Sequence, residues 1–364
     1  MKLFSSPLLI RLTFACLPLL IAVSCKKNDS SPPPTSPAVT TTPLTNITTS
    51  SATTGGTILT DGNAAITQSG IVWSKTNATP TLTDSVIAGT TSKGSFTTNL
   101  TGLDFNTVYY IRAYATNSIG TGYGDVVKLN TTNDTSKVRF TYNGTVVVYG
   151  IIISPTTGKK WLDRNLGATQ VATSYNDYKA YGDLFQWGRP ADGHQLINWT
   201  SSTTGAAVNG MTNVIATTDT PANNNFIMGT AASLADWRSD NNRNRWATNP
   251  QGPCPAGWHV PTLAEWAAEV SSAGGGGGTA TSGGITNYNT AYSQLKLTVA
   301  GYRVSYGSTV GQFASVGTVC FYWSATDRNA GGITDARDFE AAFTYAQTAY
   351  NYKAAAMSVR CLIN

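Results

Sequence analysis

Charge is scarce in this chain. Lys, Arg, Asp and Glu together make up 12% of its 364 residues, and the formal net charge is only +5. No basic stripe is available to follow a phosphate backbone, which excludes a nucleic-acid-binding face. Histidine is scarcer still. His194 and His259 are the two in the chain, too few for a histidine-rich zinc site, and no Ser-His-Asp set can be assembled from such scattered residues. After the first two dozen residues there is no long apolar run, so no second membrane span is expected. Glycine is plentiful, but the run Gly274–Gly278 lacks a following Lys-Ser/Thr pair and is not a phosphate loop. What is abundant is Thr, Ser, Asn and Gly, a composition that suits an exported, β-rich protein. The length allows two ordinary domains.

Lys2 and Arg11 flank a short start, Leu12 to Val23 is mostly apolar, and Ala22-Val23-Ser24-Cys25 follows. A charged n-region, an apolar h-region and a small-residue cleavage site describe a signal peptide over 1–24. The cysteine after the small residue resembles a bacterial lipobox, with Ala22 where leucine is commoner. The resemblance implies acylation of Cys25 and a membrane partner through the lipid. The apolar run is short against the roughly 20 residues of a spanning helix, whereas several acyl chains anchor stably. Residues 25–37, with Lys26-Lys27 and the Pro32-Pro33-Pro34 run, read as a polar tether. The two lysines touch lipid headgroups or are simply solvated. Of 5 cysteines, Cys16 leaves with the signal and Cys25 takes the lipid. Cys254, Cys320 and Cys361 remain, in a compartment that permits disulfides. Cys320 sits in the apolar run Val319-Cys-Phe-Tyr-Trp323 and reads as a buried free thiol.

Residues 38–132 read as short strands, among them Gly70–Trp73 and the alternating Tyr109–Ala115. Leu103, Phe105, Thr107 and Tyr109 fall at every second position before the latter strand. They resemble the tyrosine corner of a fibronectin type III sandwich, with Phe105 where proline is usual, and Asn117–Gly122 matches the turn that follows. Trp73 is expected to fill the space between the sheets. The role implied is a spacer or docking unit, with no catalytic site.

The richest segment is Cys254-Pro-Ala-Gly-Trp-His-Val-Pro-Thr-Leu-Ala-Glu-Trp266. Thr262 and Glu265 have capping-box spacing, Pro261 suits the turn before the cap, and Leu263, Trp266, Ala267 and Val270 make one apolar helix face. That spacing explains Glu265 without a catalytic role. His259, with no second histidine nearby, reads as a hydrogen-bonding side chain rather than a base or ligand. Downstream stand Leu295-Lys-Leu, Ala300-Gly-Tyr-Arg303, Tyr322-Trp-Ser and Ser358-Val-Arg-Cys361; upstream stand Trp161-Leu-Asp-Arg-Asn165 and Tyr181-Gly-Asp-Leu-Phe-Gln-Trp187. In this order the motifs resemble the Fibrobacter succinogenes major paralogous domain over about 137–364. The resemblance implies an α+β C-type-lectin-like fold related to formylglycine-generating sulfatase modifiers. Trp258, His259, Thr262, Glu265, Trp266, Trp323 and Arg360 then form its structural signature, and Cys254 pairs with Cys361. Closing a loop of about 107 residues is worth roughly 4–5 kcal/mol in the chain-entropy model. The overall fold class expected is thus a multidomain chain: an all-β fibronectin III-like sandwich followed by an α+β C-type-lectin-like domain.

Inside the second domain, Val146–Ile153 reads as one or two strands with a break at Gly150. Gly188 to Pro250 lacks periodicity and reads as a long loop region, where scaffolded loops often carry function. It holds Trp199, Trp237 and Trp246 beside Asp236, Arg238, Asp240, Asn241, Asn242 and Arg243. Exposed indoles next to amides and carboxylates suit carbohydrate, so Trp199, Trp237, Trp246, Asp240 and Asn241 are the candidate ligand-binding residues; the alternative is that the tryptophans pack the loop onto the domain. Asp327, Asp335, Asp338 and Glu340 offer oxygen ligands for calcium but not at EF-hand spacing, and the Glu-Pro-Asn and Trp-Asn-Asp motifs of calcium-dependent lectins are absent. They read as a solvated loop. No catalytic residue, metal site or cofactor is expected. The functional expectation is a lipid-anchored protein of the bacterial cell envelope, at the outer membrane and surface-exposed, that binds a glycan or protein ligand without catalysis. The alternatives are an enzyme of the formylglycine-generating kind and a purely structural envelope or fibre component.

Overall fold

The computed structural model describes residues 32–229, 236–239, 245–248, 252–270, 283–305, 309–328 and 335–364. The signal-like segment with Cys25, the Gly274–Gly278 run and the candidates Asp240 and Asn241 lie outside the described residues. The chain divides into two compact units between Asn133 and Asp134. Among the described residues no helix is long and apolar enough to cross a membrane.

The first unit has eight strands: β1 (Ala38–Thr45), β2 (Ala52–Thr60), β3 (Gln68–Ser74), β4 (Ser85–Ala88), β5 (Gly94–Leu100), β6 (Val108–Thr116), β7 (Thr121–Tyr123) and β8 (Val127–Asn130). One sheet has the order β1-β2-β5. The other runs β4-β3-β6-β7, with β8 also on β6. The chain crosses between the sheets at β2–β3, β4–β5 and β5–β6, as in a fibronectin type III-like sandwich. The period of two explains why β6 is inside: Tyr109, Ile111, Ala113 and Ala115 point into a core with Ile58, Ile71, Leu100 and Leu129. The Tyr109 hydroxyl accepts from the Asp104 backbone N–H at 2.8 Å, which makes the tyrosine corner. Buried Asn117 accepts from the Ile119 and Gly120 N–H groups and donates to the carbonyls of Thr35 and Asp61. Thr35 also donates to Gly62, so the last residues of the expected tether are part of the sandwich. Trp73 is partly buried and packs against this core, edge-on to Tyr109 with centroids 5.4 Å apart.

The second unit opens with β9 (Lys137–Tyr142), β10 (Thr145–Ile153), β11 (Lys160–Leu162), a 3-10 turn (Tyr178–Ala180), β12 (Phe185–Gln186), β13 (Ile197–Trp199), β14 (Gly205–Ala207), β15 (Met211–Thr212) and β16 (Phe226–Ile227). It continues with α1 (Arg245–Thr248), β17 (Trp258–His259), α2 (Leu263–Glu269), α3 (Tyr288–Leu295), β18 (Tyr302–Arg303), β19 (Phe313–Ala314), β20 (Cys320–Asp327), β21 (Asp335–Ala341), β22 (Ala346–Tyr352), β23 (Ala356–Met357) and β24 (Leu362–Ile363). The main sheets have the orders β17-β24-β11-β10-β9, β12-β23-β18-β19 and β20-β21-β22. β10 is one strand with no break at Gly150; it exchanges β9 for β11 as partner just after that residue. Asp335, Asp338 and Glu340 are not in a solvated loop. They lie on β21, a strand covered on both faces, in which Asp335 and Asp338 are buried, and among the described residues no three His, Cys, Asp or Glu side chains are grouped to hold a metal.

The signature segments meet in the core of this unit. Cys254 and Cys361 form a disulfide with Cα atoms 5.8 Å apart. Thr262 caps α2 with both arms of the capping box made by Glu265. Trp266, fully buried, stacks on Phe339 at 4.7 Å and packs on Trp161 at 4.8 Å. Trp323 is fully buried and donates to the Phe185 carbonyl. Trp258 is buried in the cluster around the disulfide. Arg360 is fully buried and donates to Asn165 Oδ1 and to the carbonyls of Leu162, Leu295 and Lys296.

Candidate functional site

Trp199 ends β13, and the β13–β14 hairpin sets its position. Its partner across the hairpin is Gly205, and no other residue fits there: a Cβ would lie 2.5 Å from the indole Cε3. The indole N–H donates to the Gly182 carbonyl at 2.6 Å, and the ring packs on Tyr181 and Phe313 with centroids at 5.1 and 5.5 Å. One part of the ring remains exposed, and it faces a cleft of about 390 Å³ lined by Gly167, Thr169, Tyr178, Lys179, Ile197 and Asn198 as well. That volume is within the range of small-ligand sites.

The opposite wall is built locally. Asp177 caps the 3-10 turn, accepting from Gln170 Nε2, the Thr173 N–H and hydroxyl, and the Lys179 N–H. The turn presents the Tyr178 ring, partly buried, and the exposed Lys179 side chain. Thr169 and Asn198 are exposed at the rim. The lining therefore offers two aromatic faces, an amide, a hydroxyl and an ammonium. Aromatic faces pack sugar C–H groups, and the amide and hydroxyl can donate and accept.

Asp183 lies behind the glycine wall. A Cβ at Gly167 (φ 83°) would meet Asp183 Oδ2 at 2.3 Å. Its carboxylate accepts from the Tyr142 hydroxyl at 2.7 Å and from the Ile197 N–H at 3.1 Å. Burial raises its pKa to about 6, against the lowering effect of those two hydrogen bonds. It props the β13 end of the cleft and does not line it.

The other sequence candidates stand elsewhere. Trp237 and Trp246 are buried and offer no exposed face, which corrects their reading as sugar platforms. The Trp237 indole N–H donates to the Trp187 carbonyl at 2.7 Å, and Trp246 packs on Trp187 with centroids at 5.9 Å. Asp236, equally buried, pairs with Arg245. These groups fasten the segment onto the domain. Tyr178, Lys179, Thr169 and Asn198 carried no sequence signal beyond their neighbour Trp199, because they converge from three separate stretches.

Neither histidine is an open base. His194 is buried, its Nδ1 2.6 Å from Asp192 and its Nε2 accepting from the Gln186 N–H. Burial lowers its pKa to about 4, so the ring is neutral. His259 sits between Glu265 and Asn364. The hydrogen bond to Glu265 raises its pKa, and burial opposes this. Cys320 is a free, buried cysteine whose thiol is pushed up by burial.

No family model matches the chain, and no curated protein matches it. The paralogous-domain resemblance therefore stands on the sequence motifs alone. Solved structures similar to part of the chain include the sensor domain of the anti-sigma factor RsgI4 in Pseudobacteroides cellulosolvens, at 11% identity over 28% of this chain and 98% of that one, with a TM-score of 0.22. A fibronectin type III domain derived from the human KIAA0970 protein is 10% identical over 29% of this chain and 85% of its own, with a TM-score of 0.20. The twitchin kinase region from C. elegans is 14% identical over 36% of this chain and 32% of its own, with a TM-score of 0.21. At these scores the likenesses carry no argument about function.

Proposed function

We propose that the protein is a lipid-anchored, non-catalytic binding protein of the bacterial cell envelope. In this reading the first unit is a fibronectin type III-like spacer. The second is a C-type-lectin-like module of the paralogous-domain type that holds a glycan in the Trp199 cleft. The carrying observation is the contrast among the tryptophans of the second unit. Trp161, Trp187, Trp237, Trp246, Trp258, Trp266 and Trp323 are buried, whereas Trp199 turns a face to a ligand-sized cleft beside Tyr178 and Asn198. A formylglycine-generating reading would need two free thiols side by side to bind copper. Cys254 and Cys361 are joined to each other, and Cys320 is buried, which disfavours it.

A glycan array tests the proposal. The wild type should retain a defined saccharide, and Trp199→Ala should weaken binding at least about fivefold, since loss of an aromatic anchor typically costs more than about 1 kcal/mol. If the wild type retains no saccharide while a pull-down recovers a protein partner, the carbohydrate reading fails.

A further inference from the structure

Most acid–base contacts of the second unit use arginine or reach solvent. Lys353 and Asp327 do neither. Lys353 follows β22, Asp327 ends β20, and their side chains are 0% and 9% exposed with Nζ 3.0 Å from Oδ1. The ammonium also lies 4.9 Å from the Trp187 ring centroid, and the Trp187 backbone N–H donates to the Lys353 carbonyl. Trp187 thus fixes both ends of the lysine, one by its ring and the other by its backbone.

Taking an ammonium and a carboxylate out of water is costly, and joining the two as a neutral amide removes both charges from the interior. An amino group held against a carboxyl group, with bulk water excluded, is a reactant pair at very high effective concentration. We propose that Lys353 and Asp327 condense to an intramolecular isopeptide bond. A proton first passes from the ammonium to the Asp327 carboxylate. The Nζ lone pair then attacks Asp327 Cγ, forming the N–C bond. The second nitrogen proton passes to the departing hydroxyl. The Cγ–O bond breaks, one water leaves, and an amide remains; no oxidant or co-reactant is needed. Because the sheet order is β20-β21-β22, the new bond clamps two strands that do not hydrogen-bond to each other.

The test uses the full chain as purified, unfolded, reduced and digested with trypsin for mass spectrometry. The expected product is a branched peptide joining Asp327 to Lys353, lighter than its two linear parts by one water, about 18 Da. Cleavage after Lys353 should be absent, and Lys353→Met should abolish the branched species. If the folded wild type yields only linear peptides with cleavage after Lys353, the bond does not form and the proposal is wrong.

Discussion

Replacing Arg360 by Met should cost the second unit about 3–5 kcal/mol, the balance between the buried carbonyls it leaves without a donor and the relief of a buried charge. The guanidinium is fully buried and makes five hydrogen bonds, between 2.8 and 3.1 Å, with no carboxylate among its partners. Two of them reach the carbonyls of Leu295 and Lys296 at the end of α3, where the helix dipole is negative and orphan carbonyls need donors. Burial lowers the Arg360 pKa, opposed by its surroundings. Methionine leaves the Leu162, Leu295 and Lys296 carbonyls without this donor, at about 1–3 kcal/mol each. Asn165 Oδ1 keeps the Tyr322 hydroxyl at 3.0 Å. Relief of the buried charge, several kcal/mol, offsets part of that loss. Urea unfolding followed by tryptophan fluorescence is the assay, because eight of the nine tryptophans are in this unit. With a slope of about 2 kcal/mol per molar, the midpoint should fall by about 2 M. Arg360→Lys, with three donors on one nitrogen, should lose less. A loss below about 1 kcal/mol for the methionine variant would refute the view that this arginine ties α3 to the Asn165 turn.

The buried carboxyl behind the cleft should make stability pH-dependent. Its folded pKa, about 6, is above the ordinary 3.8, so the folded state holds a proton that the unfolded state releases across that window. Stability therefore falls as pH rises from 3.8 to 6, and a penalty of about 3 kcal/mol persists at higher pH. Asp183→Asn should flatten the urea midpoint across the window; an unchanged slope would show that Asp183 is not the group responsible. In the first unit, Tyr109→Phe removes the acceptor from the Asp104 N–H and should cost about 1–2 kcal/mol, seen in calorimetry as a Tm drop of several degrees.

What could be read ahead of the structure was local. The Thr262–Glu265 capping box depends on a spacing of three residues, and the Tyr109 strand on a period of two; both are visible in a short window. The Cys254–Cys361 pair became legible only through the family-like order of motifs, since nothing near either cysteine names the other. The buried polar network was not legible. Arg360, Asn165, Thr298 and Tyr322 bond to one another, but each alone looks like a surface residue. The tryptophans show the same limit. Trp199, Trp237 and Trp246 have similar polar neighbours in sequence, and only the hairpin with Gly205 and the packing on Trp187 decide which one faces out. The acidic residues of β21 were misplaced because a strand carrying Asp335, Asp338 and Glu340 lacks the apolar alternation that marks strands.

The position of β24 has a consequence for folding. Leu362 pairs with both Trp161 and His259, so the central sheet of the second unit closes only when β24 reaches β11, which lies far earlier in the chain. The sandwich, by contrast, holds every strand it needs by residue 130. Until β24 docks, the edges of β11 and β17 stay unpaired on that side, and such long-range closure is slow and aggregation-exposed.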